Sequence, residues 1–292
     1  MITYVITAFK EPKTIGRAIE AFLGQGIKNY ELIISAPDKE TLDVAREYQK
    51  KNKNIRLIKD KGKGKPAALN LIFKMAKGNI IVLSDGDVFI SSSSVKKLIG
   101  HFNDSKIGGV SGKVVSCNDK GNMFGFWAHL LSLGFHYSRI RDVKNEKNVV
   151  CSGYLYAIRN GIVKEIPEKI LADDAFISLS INKNGYKTGY EPEAKVYVKY
   201  PDNLPDWIRQ KKRTAGRYYQ LSKEFKFNSI SSFGDEIVSG IKTFREVNSF
   251  KRVFWFLFLG VMRIYIWFRV FFDFRLWNRE FNKTWERVES TK

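Results

Sequence analysis

Residues 82–88, VLSDGDV, join an apolar run to two carboxylates that are separated by one glycine. Ile80 and Ile81 precede them, and such continuous aliphatic runs are typical of parallel strands that are buried on both faces. In open α/β sheets, ligands bind beyond the carboxyl ends of these strands. Asp85 and Asp87 are therefore predicted to lie at a ligand-binding edge, where they can face one hard divalent cation. A simple turn is the alternative, because Asp and Gly are common turn residues.

Composition sets the class of protein. The chain has 292 residues, with 44% hydrophobic and 27% charged residues, which predicts a globular protein of one large domain or two smaller ones. A net charge of +20 favours polyanionic partners: nucleic acid, anionic lipid or phosphorylated substrates. Only Cys117 and Cys151 are present, so a disulfide framework and a CxxC zinc site are excluded, and a reducing compartment is expected. The N-terminal stretch passes directly from a strand into a turn, so no cleaved signal peptide is expected.

The alternation of strand-like and helical patterns predicts an α/β fold. Four strand-like runs lie within the first hundred residues, at 2–8, 30–36, 55–60 and 79–87, and helical patterns separate them. This order is the signature of βαβ units in a mostly parallel sheet. Further strands are predicted at 108–116, 151–159 and 188–200, some of them antiparallel. We therefore expect a mixed sheet with helices on both faces.

Three other segments carry chemically useful side chains. The stretch KGKGKPAALN, residues 61–70, combines lysines, glycines and a helix start, which suits phosphate binding, although it is not a P-loop. Asp173 and Asp174 precede a helical pattern, so either a general base or a helix cap is possible. Gln210, Arg213 and Arg217 share one helix face that can bind a diphosphate. A solvated basic loop or face is the alternative for the first and third segments.

The order of these motifs along the chain is more specific than any one of them. TAFKEP at 7–12, KGKPAALN, SDGD, CSGYLYAIR, ADDAFIS, GYEPEAKVYV and QKKRTAG follow one another in this order. In order and spacing they resemble the family-2 glycosyltransferases with a GT-A fold, over about residues 1–220. The resemblance implies a Rossmann-like catalytic domain at 1–222. It also implies an inverting enzyme of the hexosyltransferase type that uses Mn²⁺ or Mg²⁺ and a nucleotide-diphosphate sugar donor.

The resemblance also assigns roles to individual residues. On the donor side it implies that the nucleotide pocket is lined by Thr7, Phe9, Glu11, Asp38 (near the base), Lys65 and Asp85. It implies that Asp87 and Asp85 bind the metal ion. It also implies that Gln210 and Arg213 contact the diphosphate. On the acceptor side it implies that Asp174 deprotonates the attacking hydroxyl. Two positions depart from the pattern. The segment around Asp38 lacks a pair of adjacent aspartates, and Thr214 replaces the tryptophan found in processive polysaccharide synthases.

The chemistry of sugar transfer suits these residue types. A departing diphosphate gains negative charge, which a metal ion, Lys and Arg can stabilise. An acceptor hydroxyl attacks only if a base takes its proton, so one carboxylate supports a single displacement with inversion. No residue in the sequence is identifiable as the nucleophile that a double displacement needs.

The C-terminal segment, residues 223–292, is predicted to be helical and associated with a membrane. Residues 253–274 are long enough to span a bilayer, but Arg263 lies near their middle. A central Arg costs about +2.5 to +3.5 kcal/mol, and each large apolar residue returns only about −0.3 to −0.6 kcal/mol. The aromatic residues Trp255, Tyr265, Trp267 and Trp277 suit the headgroup region, so an interfacial helix is favoured over a span, and a core helix is a third possibility.

These predictions place the protein on the cytoplasmic side of the cell membrane, peripherally or through one C-terminal span. Its partners would be the nucleotide-sugar donor, a glycan or lipid-linked acceptor and the membrane surface. Residues 118–148 are expected to select the acceptor, with a second membrane contact or core packing as alternatives. Two other functions stay open: a sugar nucleotidyltransferase, and a non-enzymatic protein that binds polyanions or lipid. Nucleic acid is not expected as a partner, because no recognisable DNA- or RNA-reading motif is present.

Overall fold

A computed structural model describes residues 1–225, 238, 240–273 and 288–291. Trp277 and much of the predicted C-terminal segment lie outside these residues. The chain divides into two compact units, of which the first comprises residues 1–114, 142–169 and 173–198. The second comprises residues 115–141, 170–172 and the described part of 199–292. The predicted boundary between residues 222 and 223 stays a prediction.

An eight-stranded mixed sheet organises the first unit. Its strands are β1 (Ile2–Thr7), β2 (Tyr30–Ala36), β3 (Ile55–Lys59), β4 (Ile80–Asp85), β5 (Phe89–Ile90), β6 (Ile107–Ser116), β7 (Leu155–Arg159) and β8 (Lys187–Val198). They lie in the order β3-β2-β1-β4-β7-β6-β8-β5. Strands β1 to β4 pair in parallel, whereas β7 runs antiparallel to both β4 and β6. The predicted change from parallel to antiparallel pairing is confirmed.

The α-helices whose two ends are both defined are α1 (Ile15–Leu23), α2 (Lys39–Lys51), α3 (Lys65–Met75), α4 (Ser94–Gly100), α5 (Met123–Lys144), α6 (Asp173–Lys183), α7 (Leu204–Phe225) and α8 (Phe250–Phe271). Helix α1 shows how the sequence pattern becomes packing. Its buried residues Ile15, Ala18, Ile19 and Phe22 recur at helical spacing, so one face of the helix is apolar.

The central strands are buried because their side chains are apolar on both faces. Val5 and Ile6 of β1 are fully buried, and so is Val82 of β4. The parallel register places Thr7 opposite Asp85, so the carboxyl ends of β1 and β4 coincide. The polar residues that follow these strands therefore meet at one edge of the sheet.

The second unit has an aromatic core formed by α5, α7 and α8. Trp127 and Trp207 are almost fully buried with ring centroids 5.1 Å apart, and the Trp127 indole N–H donates to the Trp255 carbonyl at 2.7 Å. One stripe of α8 enters this core: Leu259, Met262, Ile266 and Val270. Beyond the stripe, Asp273 is fully buried and forms an ion pair with Lys212 of α7. Core packing therefore accounts for one face of α8 and for Trp127 in the segment predicted to select the acceptor.

Candidate active site

The site is built at the carboxyl edge of the parallel strands. The Thr7 hydroxyl donates to Asp85 Oδ1 at 3.2 Å, and the Gly86 backbone N–H donates to the Thr7 carbonyl at 2.9 Å. These bonds fix the turn that leaves β4. Asp85 and Asp87 are both half-buried, so they remain accessible at this edge. The predicted position of the two carboxylates agrees with the fold.

Gly86 lets another predicted site residue approach this turn. A Cβ at Gly86 would lie 2.5 Å from Glu11 Oε2 and 2.7 Å from the Ala8 side chain. Only glycine fits such a close approach, so the buried Glu11 carboxylate rests directly against the turn. The Glu11 backbone N–H is held by the Thr41 hydroxyl at 2.8 Å. The sequence pattern predicted a turn residue here, and the structure adds the reason for glycine.

Lys65 lies at the start of α3 and joins two acidic segments. Its Nζ is 2.6 Å from Asp85 Oδ1 and 3.8 Å from Asp173 Oδ2. It also donates to the Gly153 carbonyl at 3.5 Å. Burial favours the neutral amine, but the negative charges of Asp85 and Asp173 outweigh burial and raise the Lys65 pKa above its ordinary value. Lys65 is therefore charged, and its ion-pair partners in this structure are the Asp85 and Asp173 carboxylates.

Asp174 is the more accessible member of the acidic pair. Asp173 is buried, whereas Asp174 is half-buried at the first turn of α6. Asp174 Oδ2 accepts the Gly153 N–H at 2.8 Å, and Oδ1 accepts the Ala175 N–H at 2.9 Å. Two backbone donors therefore orient this carboxylate. Neither bond is that of a helix cap, because Ala175 is the next residue along the chain and Gly153 belongs to a different segment.

Two further residues at this edge were not identified from the sequence. Tyr156 of β7 is fully buried, and its hydroxyl has no hydrogen-bond partner among the described residues. Burial, reinforced by the charges of Asp173 and Asp174, raises the pKa of Tyr156 well above its ordinary value. Asp60 follows β3 and accepts the Ser35 hydroxyl at 2.9 Å. Asp60 follows a strand just as Asp85 ends one, which is the signal that could have identified it.

Asp38 has a clear local role. Its carboxylate accepts the Thr41 N–H at 3.0 Å at the start of α2 and the Lys10 N–H at 2.7 Å. Partial burial opposes ionisation, but the hydrogen bonds from Thr41 and Lys10 hold the Asp38 pKa below its usual range. Asp38 therefore ties the segment after β1 to α2. Phe9 lies in that segment and is 40% exposed. The predicted contact of Asp38 with a nucleotide base stays a prediction.

Gln210 and Arg213 lie on α7, in the second unit. Gln210 is buried, and its Oε1 has no hydrogen-bond partner among the described residues. Arg213 is half-buried. The predicted diphosphate contact of these two residues stays a prediction.

The metal assignment rests on the chemistry of the donors. In the part of the chain that the structure describes, no group of three or more His, Cys, Asp or Glu side chains is arranged to hold a metal ion. Asp85 and Asp87 still suit Mn²⁺ or Mg²⁺, which take oxygen ligands and commonly complete their shell with water and substrate phosphate. The carboxylates present therefore fit a cation whose coordination is shared with the substrate.

Comparison with known families connects this edge to a reaction class. Residues 1–216 match the family model described as "Glycosyltransferase like family 2". The chain belongs to glycosyltransferase family 2. This membership confirms the resemblance drawn from the motif order. It favours an enzyme over a non-enzymatic polyanion-binding protein.

Curated relatives of this family-2 chain are glycosyltransferases and polysaccharide synthases. The probable glycosyltransferase YdaM of Bacillus subtilis (strain 168) is 28% identical over 193 residues, covering 63% of this chain and 46% of that protein. The poly-β-1,6-N-acetyl-D-glucosamine synthase of Staphylococcus aureus (strain COL) is 22% identical, covering 77% of this chain and 56% of that protein. The chain thus spans about half the length of the curated relatives it matches.

Solved structures confirm the fold of the family-2 chain. The mannosyltransferase PcManGT from Pyrobaculum calidifontis, in complex with GDP-Man and Mn²⁺, superposes with a TM-score of 0.68 at 15% identity, covering 96% of this chain and 88% of that one. S. aureus TarS 1–349 in complex with UDP-GlcNAc gives a TM-score of 0.51 at 15% identity, covering 83% and 71%. The expected GT-A fold with a mixed sheet is confirmed.

Proposed function

We propose that this protein is an inverting, metal-dependent glycosyltransferase. It moves a sugar from a nucleotide-diphosphate donor to a hydroxyl or phosphate of a glycan or lipid-linked acceptor. The proposal depends on one observation: a chain of contacts joins Asp85 to Asp174 at the edge of the sheet. Lys65 contacts Asp85 and the Gly153 carbonyl, and the Gly153 N–H donates to Asp174. The same edge thus holds residues suited to the leaving group and a residue suited to the attacking group.

Asp174 acts as the general base. The N–H groups of Gly153 and Ala175 orient its carboxylate, and its partial exposure leaves it open to an acceptor hydroxyl. Proton removal by a positioned carboxylate makes the hydroxyl a better nucleophile as it attacks the anomeric carbon. Asp173 is buried and paired with Lys65, so it is less suited to this role.

The leaving-group side combines carboxylates with a fixed ammonium. Asp85 and Asp87 would hold Mn²⁺ or Mg²⁺, which when bound supplies positive charge to the diphosphate. Lys65 lies beside Asp85 and adds a second positive charge at the same edge. A base on one side and charge stabilisation on the other support a single displacement, which inverts the anomeric centre.

The donor and acceptor classes are inferred from relatives. PcManGT was solved with GDP-Man and Mn²⁺, and TarS with UDP-GlcNAc, so both nucleotides are candidates. A synthase of poly-β-1,6-N-acetyl-D-glucosamine among the relatives supports a glycan acceptor. We propose that the acceptor is delivered at a membrane, either lipid-linked or as a growing glycan.

Helix α8 supports the membrane part of the proposal. Among the described residues it is the one helix long and apolar enough to cross a bilayer, with 22% of its most apolar window buried. Its exposed side chains from residue 253 onward are all apolar or aromatic: Phe254, Leu257, Val261, Ile264, Tyr265, Phe268 and Phe271. An uncovered apolar face of this length suits lipid better than water.

The arginines of α8 do not oppose this placement. Arg263 and Arg269 are half-buried and flank the stripe that packs into the core of the second unit. Neither lies on the exposed face, so the cost expected for a central Arg in lipid is reduced. We therefore propose that α8 lies deeper in the bilayer than an interfacial helix, on the cytoplasmic side or as a single span.

Calorimetric titration tests the donor assignment. UDP and GDP are titrated with and without Mn²⁺ into the wild type and Asp87→Ala. We expect one nucleotide to bind only with metal, and this binding to be lost in the variant. Transfer is then assayed with sugars on that nucleotide. Binding that ignores both metal and Asp87 would overturn the proposed function.

A further inference from the structure

Lys65 is the charged side chain through which three segments of the first unit meet. Its ammonium contacts Asp85 at the end of β4, Asp173 at the start of α6 and the carbonyl of Gly153 before β7. The shortest of these contacts, 2.6 Å, is to Asp85, which is also a proposed metal ligand. One carboxylate therefore serves two cations: the ammonium that is present and the metal ion that the reaction needs.

The surroundings make this sharing costly for a metal ion. The side chains of Lys65 and Asp85 are 26% and 27% exposed, so water screens their attraction only in part. A metal ion that binds without nucleotide must come close to the Lys65 ammonium. It must also coordinate the Asp85 carboxylate, whose charge this ammonium already neutralises. A diphosphate changes this balance, because its oxygens offer Lys65 another anionic partner and supply further ligands to the metal.

We propose that Lys65 is an internal counterion that competes with the divalent cation for Asp85, so that metal binds tightly only together with the nucleotide diphosphate. This inference rests on the proposed metal-dependent function and adds that tight binding of the metal ion depends on binding of the nucleotide. Without nucleotide, the Lys65 ammonium holds Asp85 and Asp173 together. With nucleotide, the ammonium turns to the diphosphate, and Asp85 becomes available to the metal.

Coupling between the metal ion and the nucleotide is reciprocal, so measuring the affinity for Mn²⁺ with and without nucleotide is enough to determine it. Free Mn²⁺ is measured by electron paramagnetic resonance in titrations of the wild type, Lys65→Met and Lys65→Arg, first with Mn²⁺ alone and then with UDP or GDP. We expect Lys65→Met to bind Mn²⁺ alone about 5- to 150-fold more tightly than the wild type, the range typical of coupling between two sites. Lys65→Arg keeps the positive charge and should bind Mn²⁺ alone as weakly as the wild type does.

Lys63 provides a matched control in the same loop. It is exposed, and Lys63→Met removes one positive charge two residues from Lys65. If the effect needs direct contact with Asp85, Lys63→Met should change the affinity for Mn²⁺ alone by less than about twofold, because exposed charges are screened. An equal gain in Lys63→Met and Lys65→Met would overturn the inference in favour of general electrostatics.

The remaining outcomes separate this inference from the proposed function. If the wild type binds Mn²⁺ with nucleotide but Lys65→Met binds Mn²⁺ alone no better, the counterion role is wrong and the function stands. If no variant binds Mn²⁺ even with nucleotide, the metal-dependent function itself fails, and the inference fails with it. Should Lys65→Met fold poorly by circular dichroism, Lys65→Gln removes the same charge with a polar side chain and decides the question.

Discussion

The Gly153 backbone N–H lies 2.8 Å from Asp174 Oδ2, and the carbonyl of the same residue accepts the Lys65 ammonium at 3.5 Å. Gly153 thus connects Asp174, the proposed base, with Lys65, which lies beside the proposed metal ligand Asp85. A Cβ at Gly153 would lie 3.0 Å from Asp174 Oδ2, which is closer than an ordinary contact. A side chain at residue 153 would therefore require the Asp174 carboxylate to shift.

Gly153→Ala should displace Asp174 while leaving the fold intact. We expect kcat to fall about tenfold with little change in donor affinity, since small misplacements of a catalytic group are costly. Steady-state kinetics and nucleotide titration measure the two effects. Gly189→Ala is the control, because a Cβ there meets nothing within 4 Å. Equal kinetics for both variants would mean that Asp174 is not held through Gly153.

Asp174→Asn should remove the base and keep one of the two hydrogen bonds that the carboxylate accepts from the backbone. The amide oxygen can still accept the Gly153 N–H, but it cannot take a proton from the acceptor. We expect kcat to fall about 10²- to 10⁴-fold, with the dissociation constant of the nucleotide unchanged. A variant that retains more than a tenth of the wild-type kcat would assign the base to another residue.

Gly86→Ala should destabilise the first unit. The new methyl group would meet the Glu11 carboxylate and the Ala8 side chain within 2.7 Å, and the backbone must shift to relieve this overlap. We expect the free energy of unfolding in urea to fall by about 1–3 kcal/mol. Gly100→Ala meets nothing within 4 Å and should be neutral. If the two variants are equally stable, the close approach at the turn is wrong.

Asp273→Ala should destabilise the second unit strongly. Asp273 is fully buried against Lys212, so its removal leaves an ammonium without this partner. Breaking a buried pair typically costs about 3 kcal/mol, whereas Lys212→Met with Asp273→Leu should regain most of it. Urea unfolding in a mild detergent measures both. Glu47→Ala, which breaks an exposed pair with Lys50, should cost less than about 0.5 kcal/mol. A comparable loss in both single variants would refute the buried role of Asp273.

Sequence patterns predicted the parallel strands, because buried β-branched runs ending in polar residues are local signals. They also placed Asp85 at the edge, whereas the role of Asp174 as a base was implied only by the family resemblance. They could not show that Lys65 pairs with Asp85 and Asp173, since this contact joins residues 20 and 108 positions apart. Tyr156 was missed for a related reason: its neighbours across the sheet, Leu83 and Ser111, are set by register. Local patterns define strands, but pairing across the sheet decides which side chains meet.

The exposed face of α8 provides the last prediction. Leu257 and Val261 lie one turn apart on this face and are 63% and 59% exposed. Leu257→Glu combined with Val261→Glu should reduce binding to neutral phosphatidylcholine vesicles at least about tenfold, because charged groups are costly in hydrocarbon. Flotation with neutral and with phosphatidylserine-containing vesicles measures this.

The control is Leu71→Glu, which alters an exposed leucine of α3 in the first unit and should leave vesicle binding unchanged. If the α8 variant and the wild type bind only anionic vesicles, and bind them equally, the net charge of +20 accounts for membrane attraction. Loss of binding to neutral vesicles in the α8 variant alone places this helix face in the apolar part of the bilayer. The site at the carboxyl edge of the sheet would then act on acceptors that the membrane delivers.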